Sequence, residues 1–318
     1  MTRWASVLTV MGAITLAAPA SANITITPTF APSITGDPNA GFIEATINAA
    51  ILVFENMFTN PINVPITFQE GSSLGSSEFS LFDVSYSAFS TALYNNAHTT
   101  MNANQLAAVA ANPVSLFNPV TGTNDILMKC ANIDAVFGAG SSGCASAGTI
   151  SLNTSLTMPG SPGSTSQYSL LAVTLHEIDE ILGLGSTLGL GLGSATCGFN
   201  QITGPCTNVP SPEDLFRYTA AGARSFTTSA ANVFFSVTGT TDLAQFNNQP
   251  NGADYGDWKS GTSPQVQDAF TTAGANPPLG LAEITALNVI GYNIAEPGTV
   301  AVFGAGIAGL LRLRRRRV

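Results

Sequence analysis

The stretch "LAVTLHEIDEILGLGS", residues 171–186, decides the fold prediction. On a helical wheel, four apolar side chains recur at positions i, i+4, i+7 and i+11, which is the spacing of one buried helix stripe. His176 and Glu180 lie one turn apart on the opposite side, so their side chains are neighbours on one helix face. The stretch therefore predicts an amphipathic helix whose buried stripe consists of Leu171, Leu175, Ile178 and Leu182.

The pair on this helix has the chemistry of a metal site. Imidazole nitrogen and carboxylate oxygen are both zinc ligands, and zinc hydrolases place two such ligands at i and i+4 with a glutamate after the first. In that hypothesis His176 and Glu180 hold Zn²⁺, and Glu177 is the catalytic general base that takes a proton from the metal-activated water. The alternative is a solvated acidic helix face, because Glu177, Asp179 and Glu180 place three carboxylates within four residues.

A third metal ligand has to come from elsewhere in the chain. The only other histidine is His98, and nothing in the sequence places it near His176. An acidic residue is therefore expected, and we favour Asp214 in "SPEDLFRY", residues 211–218, as the third metal ligand. Its other interpretation is a charge at a helix start, paired with Arg217. The alternatives for the third ligand are Glu213, Asp257 and Glu283.

The rest of the chain alternates helical and strand patterns. Apolar spacing predicts helices over residues 41–60, 89–98, 102–112 and 279–293, and β-branched runs predict strands over 62–71, 133–140, 148–157 and 233–239. This arrangement indicates the α+β class, with a mixed twisted sheet and an active-site helix, rather than a wound parallel sheet.

Four cysteines suggest two local disulfides, Cys130–Cys144 and Cys197–Cys206, each closing a short glycine-rich loop. Other connectivities are possible in principle, and an oxidising compartment favours pairing. A four-thiolate zinc site is the rival interpretation, but no Cys-x-x-Cys spacing supports it.

Both ends of the chain carry targeting patterns. Residues 1–22 combine Arg3, an apolar run and the small-residue sequence "ASA", which is typical of a cleaved secretory signal peptide. Residues 295–318 contain a Pro-Gly break, an apolar run and a terminal arginine cluster, which would stay on the cytoplasmic side of a membrane. This layout resembles the PEP-CTERM sorting signal. The resemblance implies transient membrane anchorage, tail removal by a sorting transpeptidase, and release to the cell surface or extracellular matrix.

The body between these ends is strongly acidic. Residues 23–295 contain four cationic residues against 18 acidic ones, a net charge of −14. Such a surface repels phosphate backbones, so nucleic acid is not an expected partner.

Two resemblances add an expected fold and activity for residues 23–294. "HEIDEILGLGS", residues 176–186, resembles the His-Glu-x-x-His-x-x-Gly helix of zincin metallopeptidases, with Glu180 at the second histidine. Together with "SPEDLFRYTAAGARSF", "GADYGDW" and "ITALNVIGYN", it is similar to secreted bacterial metalloproteases with PEP-CTERM tails. The resemblance implies a zincin-like fold and peptidase activity on protein or peptide substrates.

One departure from the zincin pattern keeps a second function open. Ser186 occupies the place where some zincins carry their third histidine. The alternative function is therefore a catalytically inactive surface or extracellular-matrix protein that binds partners through the same fold.

Overall fold

The helices and strands follow one another in mixed order, which confirms the predicted α+β class. The computed structural model describes residues 23–159, 165–188, 208–230 and 232–295. The helices within these ranges are α1 (Pro32–Thr35), α2 (Ala40–Met57), α3 (Tyr86–Thr100), α4 (Ala103–Ala111), α5 (Cys130–Phe137), α6 (Leu170–Leu182) and α7 (Leu281–Val289). The strands are β1 (Thr25–Phe30), β2 (Asn63–Glu70), β3 (Gly75–Glu78), β4 (Leu81–Ser85), β5 (Asp125–Lys129), β6 (Gly148–Leu152), β7 (Thr157–Met158), β8 (Tyr168–Ser169), β9 (Arg217–Ala220), β10 (Ala223–Arg224), β11 (Phe234–Phe235) and β12 (Ala244–Gln245).

A mixed four-stranded sheet with the order β1–β2–β6–β3 supports the helix that carries the histidine. Strands β1, β2 and β6 are parallel, whereas β3 runs antiparallel to β6 at one edge. Along β2 the buried residues Val64, Ile66 and Phe68 alternate with more exposed ones, so one face of this strand enters the core. Helix α6 packs against α2, β3 and β6, which places its histidine face beside the edge strand β3.

Helix α6 has defined ends and is enclosed by protein. The Ser169 hydroxyl accepts a hydrogen bond from the Ala172 amide at the first turn. Gly183 ends the helix with φ of 137°, a conformation that favours glycine. The predicted helix is confirmed, but its acidic residues are not solvated, because Glu177 is 5% exposed and Asp179 is fully buried. The interpretation of this face as a solvated acidic surface is therefore wrong.

Most of the predicted elements are confirmed, with two corrections. Residues 133–140 were predicted to form a strand, but Cys130–Phe137 is the helix α5. Its buried residues include Cys130, Ile133 and Val136, whose spacing of three places them on one side of a helix. The strand predicted over 233–239 is only two residues long, Phe234–Phe235, because a turn follows it.

The Cys130–Cys144 disulfide is confirmed and joins the first residue of α5 to the loop that leads into β6. The predicted pair Cys197–Cys206, the signal peptide of residues 1–22 and residues 296–318 of the tail lie outside the described residues. Among the helices that the structure describes, none has both the length and the apolar character needed to cross a membrane.

Candidate metal-binding site

Three side chains from two parts of the chain converge and could hold a metal ion, and we call them the metal group. His176 and Glu180 come from α6, and Asp257 comes from the segment between β12 and α7. His176 Nε2 lies 3.5 Å from Glu180 Oε1 and 3.9 Å from Asp257 Oδ1. Ligand bonds of about 2.0–2.2 Å in a tetrahedral zinc site separate neighbouring donor atoms by about 3.4 Å. The two distances from His176 are close to that value, and the three donor atoms all lie within 4.8 Å of one another, so they could share a cation.

The imidazole of His176 is oriented by a backbone contact. Its Nδ1 lies 2.9 Å from the carbonyl oxygen of Val266, which can only accept, so Nδ1 carries the proton and donates it. The other ring nitrogen, Nε2, then faces Glu180 and Asp257. This is the arrangement of a histidine that binds metal through Nε2.

Both carboxylate ligands have a hydrogen-bond donor of their own. The Ser77 hydroxyl of β3 donates to Glu180 Oε2. The side-chain amide of Gln267 donates to Asp257 Oδ1 over 3.0 Å. In Glu180 the oxygen nearer to His176, Oε1, is not the one that accepts from Ser77, whereas in Asp257 the same oxygen, Oδ1, lies near His176 and accepts from Gln267.

Glu177 lies next to the three-residue group under the edge strand. Its Oε2 is buried and has no hydrogen-bond partner among the described residues. Its Oε1 lies so close to Gly75 of β3 that a Cβ at that position would overlap it, and the same Cβ would be 2.7 Å from Val173 Cγ1. Only a glycine at position 75 allows this strand to approach the glutamate.

The buried charges around His176 favour an additional cation. Burial raises the pKa of Asp257 to about 8 against the attraction of His176, and burial together with Glu180 raises the pKa of Glu177 to about 8. Burial lowers the pKa of His176, but Asp257, Glu180 and Glu177 outweigh it and raise that pKa well above its ordinary value. Burial would raise the pKa of Glu180, but the hydrogen bond and charge of His176 and the charge of Lys129 lower it to about 2. A divalent cation would relieve the repulsion among these carboxylates.

Lys129 is a buried cationic residue whose charge acts on Glu180 and Asp257. The residue is 5% exposed, and its ammonium donates to the backbone carbonyls of Glu180 (2.7 Å) and Leu184 at the end of α6. It also lies 3.6 Å above the centre of the Phe79 ring. Lys129 therefore stabilises the negative C-terminal end of the helix rather than facing the three donor atoms.

A cavity of about 490 Å³ opens above the three donors. Gly75, Ser76 and Ser77 of the edge strand form one wall. Apolar side chains on the other walls include Tyr168, Val173 and Phe270. The cavity is large enough for several residues of a peptide, and it gives such a ligand access to Glu177 and the three donors.

Asp214, the favoured third ligand, is not part of this group. It is fully buried, and its Oδ2 accepts hydrogen bonds from the amides of Thr187 (3.1 Å) and Ser211 (2.9 Å). Its Oδ1 accepts from the Ser186 hydroxyl and lies 3.8 Å from Arg217 Nε. The structural interpretation of Asp214, with Arg217 as its partner, is the one that the geometry supports. Asp257, which was an alternative, occupies the place expected of Asp214.

The other candidates also lie outside the group. Glu213 accepts from the Gly185 amide, and Glu283 accepts from the Trp258 indole at 3.1 Å. His98 lies on α3, where its Nδ1 bonds the Tyr94 carbonyl and its ring stacks on that tyrosine. Sequence reasoning gave no role to Ser77 or Gln267, because only the folded chain brings them to the carboxylates.

If the site hydrolyses peptides, as the sequence predicts, we expect Gly75→Ala to lower that activity by about 10- to 100-fold, because the new methyl group displaces Glu177. The metal content should stay unchanged, since the three atoms nearest to the new methyl group belong to Glu177 and Val173 and none belongs to His176, Glu180 or Asp257. The measurements are the rate of peptide cleavage and the zinc content of the same sample. Gly41→Ala is the matched control, because a Cβ there meets nothing within 4 Å. Full activity of Gly75→Ala would contradict the placement of Glu177.

Comparisons with known proteins add no family to this description. A scan against protein-family models finds no match, and searches of curated proteins and of solved structures find none either.

Proposed function

We propose that this protein is an exported, zinc-dependent metallopeptidase with a zincin-like catalytic domain. The observation that carries the proposal is the buried Glu177 carboxylate, which lies beside a three-donor metal group at the base of an open cavity. Burial alone does not distinguish Glu177, because both carboxylate oxygens of Asp179 on the same helix are also buried without partners among the described residues. The position of Glu177 beside the three donors and in the cavity wall is what supports the proposal.

The donor set supports zinc over the hard cations. Ca²⁺ takes six to eight oxygen ligands and Mg²⁺ requires near-octahedral oxygen coordination. The group offers one imidazole nitrogen and two carboxylates, which matches the three protein ligands of a catalytic zinc site.

In the proposed reaction the protein supplies a base and a fixed geometry. When bound, zinc lowers the pKa of water and polarises a carbonyl oxygen. Glu177 takes the proton of the attacking water and delivers it to the nitrogen of the leaving amine. Its raised pKa suits this exchange at neutral to mildly alkaline pH. Val266 and Gln267 hold His176 and Asp257 in orientation while this happens.

The edge strand β3 supports a peptide as the substrate. It pairs with β6 on one side only, and its residues Gly75, Ser76 and Ser77 line the cavity. An extended peptide can add to such an edge through backbone hydrogen bonds. This would place a peptide carbonyl over the metal group next to Glu177.

Two carboxylate ligands should make the enzyme slow. Glu180 and Asp257 would offset the charge of a bound zinc ion, which would lower the pKa of water less than zinc does with three neutral histidines. We therefore expect cleavage at the low end of metallopeptidase rates. Zinc binding without any cleavage would favour the alternative function, an inactive surface protein that binds partners.

Export to the cell surface rests on the sequence patterns alone. Residues 1–22 supply the proposed signal peptide, and residues 295–318 supply the proposed PEP-CTERM-type segment for transient membrane anchorage and a sorting transpeptidase. Mass spectrometry of the exported protein should show a new N-terminus at Asn23 and loss of the arginine cluster. An intact N-terminus on exported protein would contradict this part of the proposal.

The test of the proposed activity uses residues 23–295 purified from an oxidising compartment. We expect slow cleavage of casein that a zinc chelator abolishes and that added zinc restores, with about one zinc per chain. Chelator-resistant cleavage would indicate a contaminating protease. Zinc-loaded protein that cleaves neither casein nor a mixed peptide library would contradict the peptidase proposal.

A further inference from the structure

We propose that Gln267 is a positioning residue for the metal group, an inference that rests on the proposed function. Gln267 touches none of the reacting atoms. It acts through the Asp257 carboxylate and, by way of its neighbour Val266, through the His176 imidazole.

The dipeptide Val266–Gln267 contacts two of the three ligands at once. The Val266 carbonyl accepts the Nδ1 proton of His176 at 2.9 Å, and the Gln267 side-chain amide donates to Asp257 Oδ1 at 3.0 Å. His176 belongs to α6, whereas Asp257 belongs to a loop with no regular secondary structure. The dipeptide is thus a physical connection between a ligand on a helix and a ligand on a loop.

Buried hydrogen bonds to Trp258 and Glu283 hold this dipeptide in place. Glu283 Oε1 accepts hydrogen bonds from the backbone N–H of Gln267 at 3.2 Å and from the Trp258 indole N–H at 3.1 Å. The Trp258 amide donates to the Gln267 carbonyl at 2.7 Å, and Trp258 directly follows Asp257. Gln267, Trp258 and Glu283 are all fully buried, so water cannot replace these bonds.

Gln267 holds the Asp257 side chain in position before a metal ion binds. A carboxylate on a loop has two free side-chain torsions, and the Gln267 donor restricts them so that Asp257 Oδ1 stays 3.9 Å from His176 Nε2. Partners of this kind typically change metal affinity by about 10- to 100-fold. Gln267 Oε1 has no partner among the described residues, so the side chain contributes little to stability through that atom.

The experiment compares Gln267→Met with the wild type in residues 23–295. Methionine has a similar length and fills the same space, but it cannot donate to Asp257. We expect the zinc dissociation constant, measured by competition with a chromophoric chelator, to rise about 10- to 100-fold. The visible absorption spectrum of the Co²⁺-loaded protein should also shift, which a loss of general stability would not produce.

Gln105→Met is the matched control. Gln105 is also fully buried, and its amide donates to the carbonyls of Asn288 and Tyr292 and to the side chain of Asn293. This variant should lose thermal stability while the zinc affinity and the Co²⁺ spectrum of the folded protein stay unchanged.

The outcomes separate this inference from the proposed function. A wild type that binds zinc, with a Gln267→Met variant that binds it within about twofold, overturns the positioning role alone. A wild type that binds no zinc overturns the proposed function, and the positioning role with it. If Gln267→Met does not fold, Gln267→Asn serves instead, because its shorter side chain cannot reach Asp257 and must also weaken zinc binding.

Discussion

Replacing Glu177 with glutamine is expected to lower the rate of peptide cleavage by about 10³-fold, within the range that a positioned general base contributes. The amide has the same shape but cannot accept the proton of the attacking water. Zinc content should not fall, because Glu177 is not among the three donors of the metal group. The measurements are the cleavage rate at saturating zinc and the zinc content of the same sample.

Glu78→Gln is the matched control for this substitution. Glu78 lies at the exposed end of the same edge strand that approaches Glu177, and it does not line the cavity. It should keep the wild-type rate. Glu177→Gln protein that retains zinc and cleaves at the wild-type rate would contradict the role of Glu177 as the base.

Replacing Asp257, the third residue of the metal group, should weaken metal binding and leave the stability of the folded protein nearly unchanged. We expect Asp257→Asn to weaken zinc binding by at least about 100-fold, because one of two anionic donors is lost from the group. The folded state should tolerate the change, since burial already raises the pKa of Asp257 to about 8 and favours its neutral form. Isothermal titration with zinc and thermal unfolding without zinc are the two measurements.

Asp214→Asn should give the opposite result. The Asp214 carboxylate accepts several hydrogen bonds from buried N–H and O–H groups, and it lies beside the fully buried Arg217. Breaking this buried ion pair should lower the free energy of unfolding by about 3 kcal/mol. Its zinc affinity should remain that of the wild type. Loss of zinc binding in Asp214→Asn with retention in Asp257→Asn would restore the original choice of third ligand.

The helix and its first two candidate ligands could be predicted from the sequence because they depend on local periodicity. An i, i+4 pair such as His176 and Glu180 is adjacent on any helix, whatever lies around it. The third ligand depends on the whole fold. Asp257 reaches the pair because Trp258 is fixed in the core by backbone bonds to Gln267 and Ala269, and no local pattern encodes those contacts.

The environment of the acidic residues was the harder part to predict. Three carboxylates within four residues are typical of a solvated helix face, yet Glu177 and Asp179 are buried. The edge strand at Gly75 closes over Glu177, whereas the charges that act on Asp179 include those of Glu283 and Glu213 from other segments. The same sequence pattern therefore describes a surface helix or an enclosed site, and the segments packed around the helix decide between them.

The strand predicted at residues 133–140 shows the limit of β-branched composition as evidence. Ile133 and Val136 are both buried, but they are three residues apart, which fits one side of a helix and not one face of a strand. The spacing of the apolar residues was the stronger signal in that segment.

The most direct test of the central claim is anomalous X-ray scattering at the zinc edge from crystals of residues 23–295 grown with zinc. We predict one strong peak within about 2.0–2.2 Å of His176 Nε2 and of one oxygen each from Glu180 and Asp257. A zinc ion bound only at other side chains, or crystals that show no peak at His176 despite excess zinc, would contradict the claim.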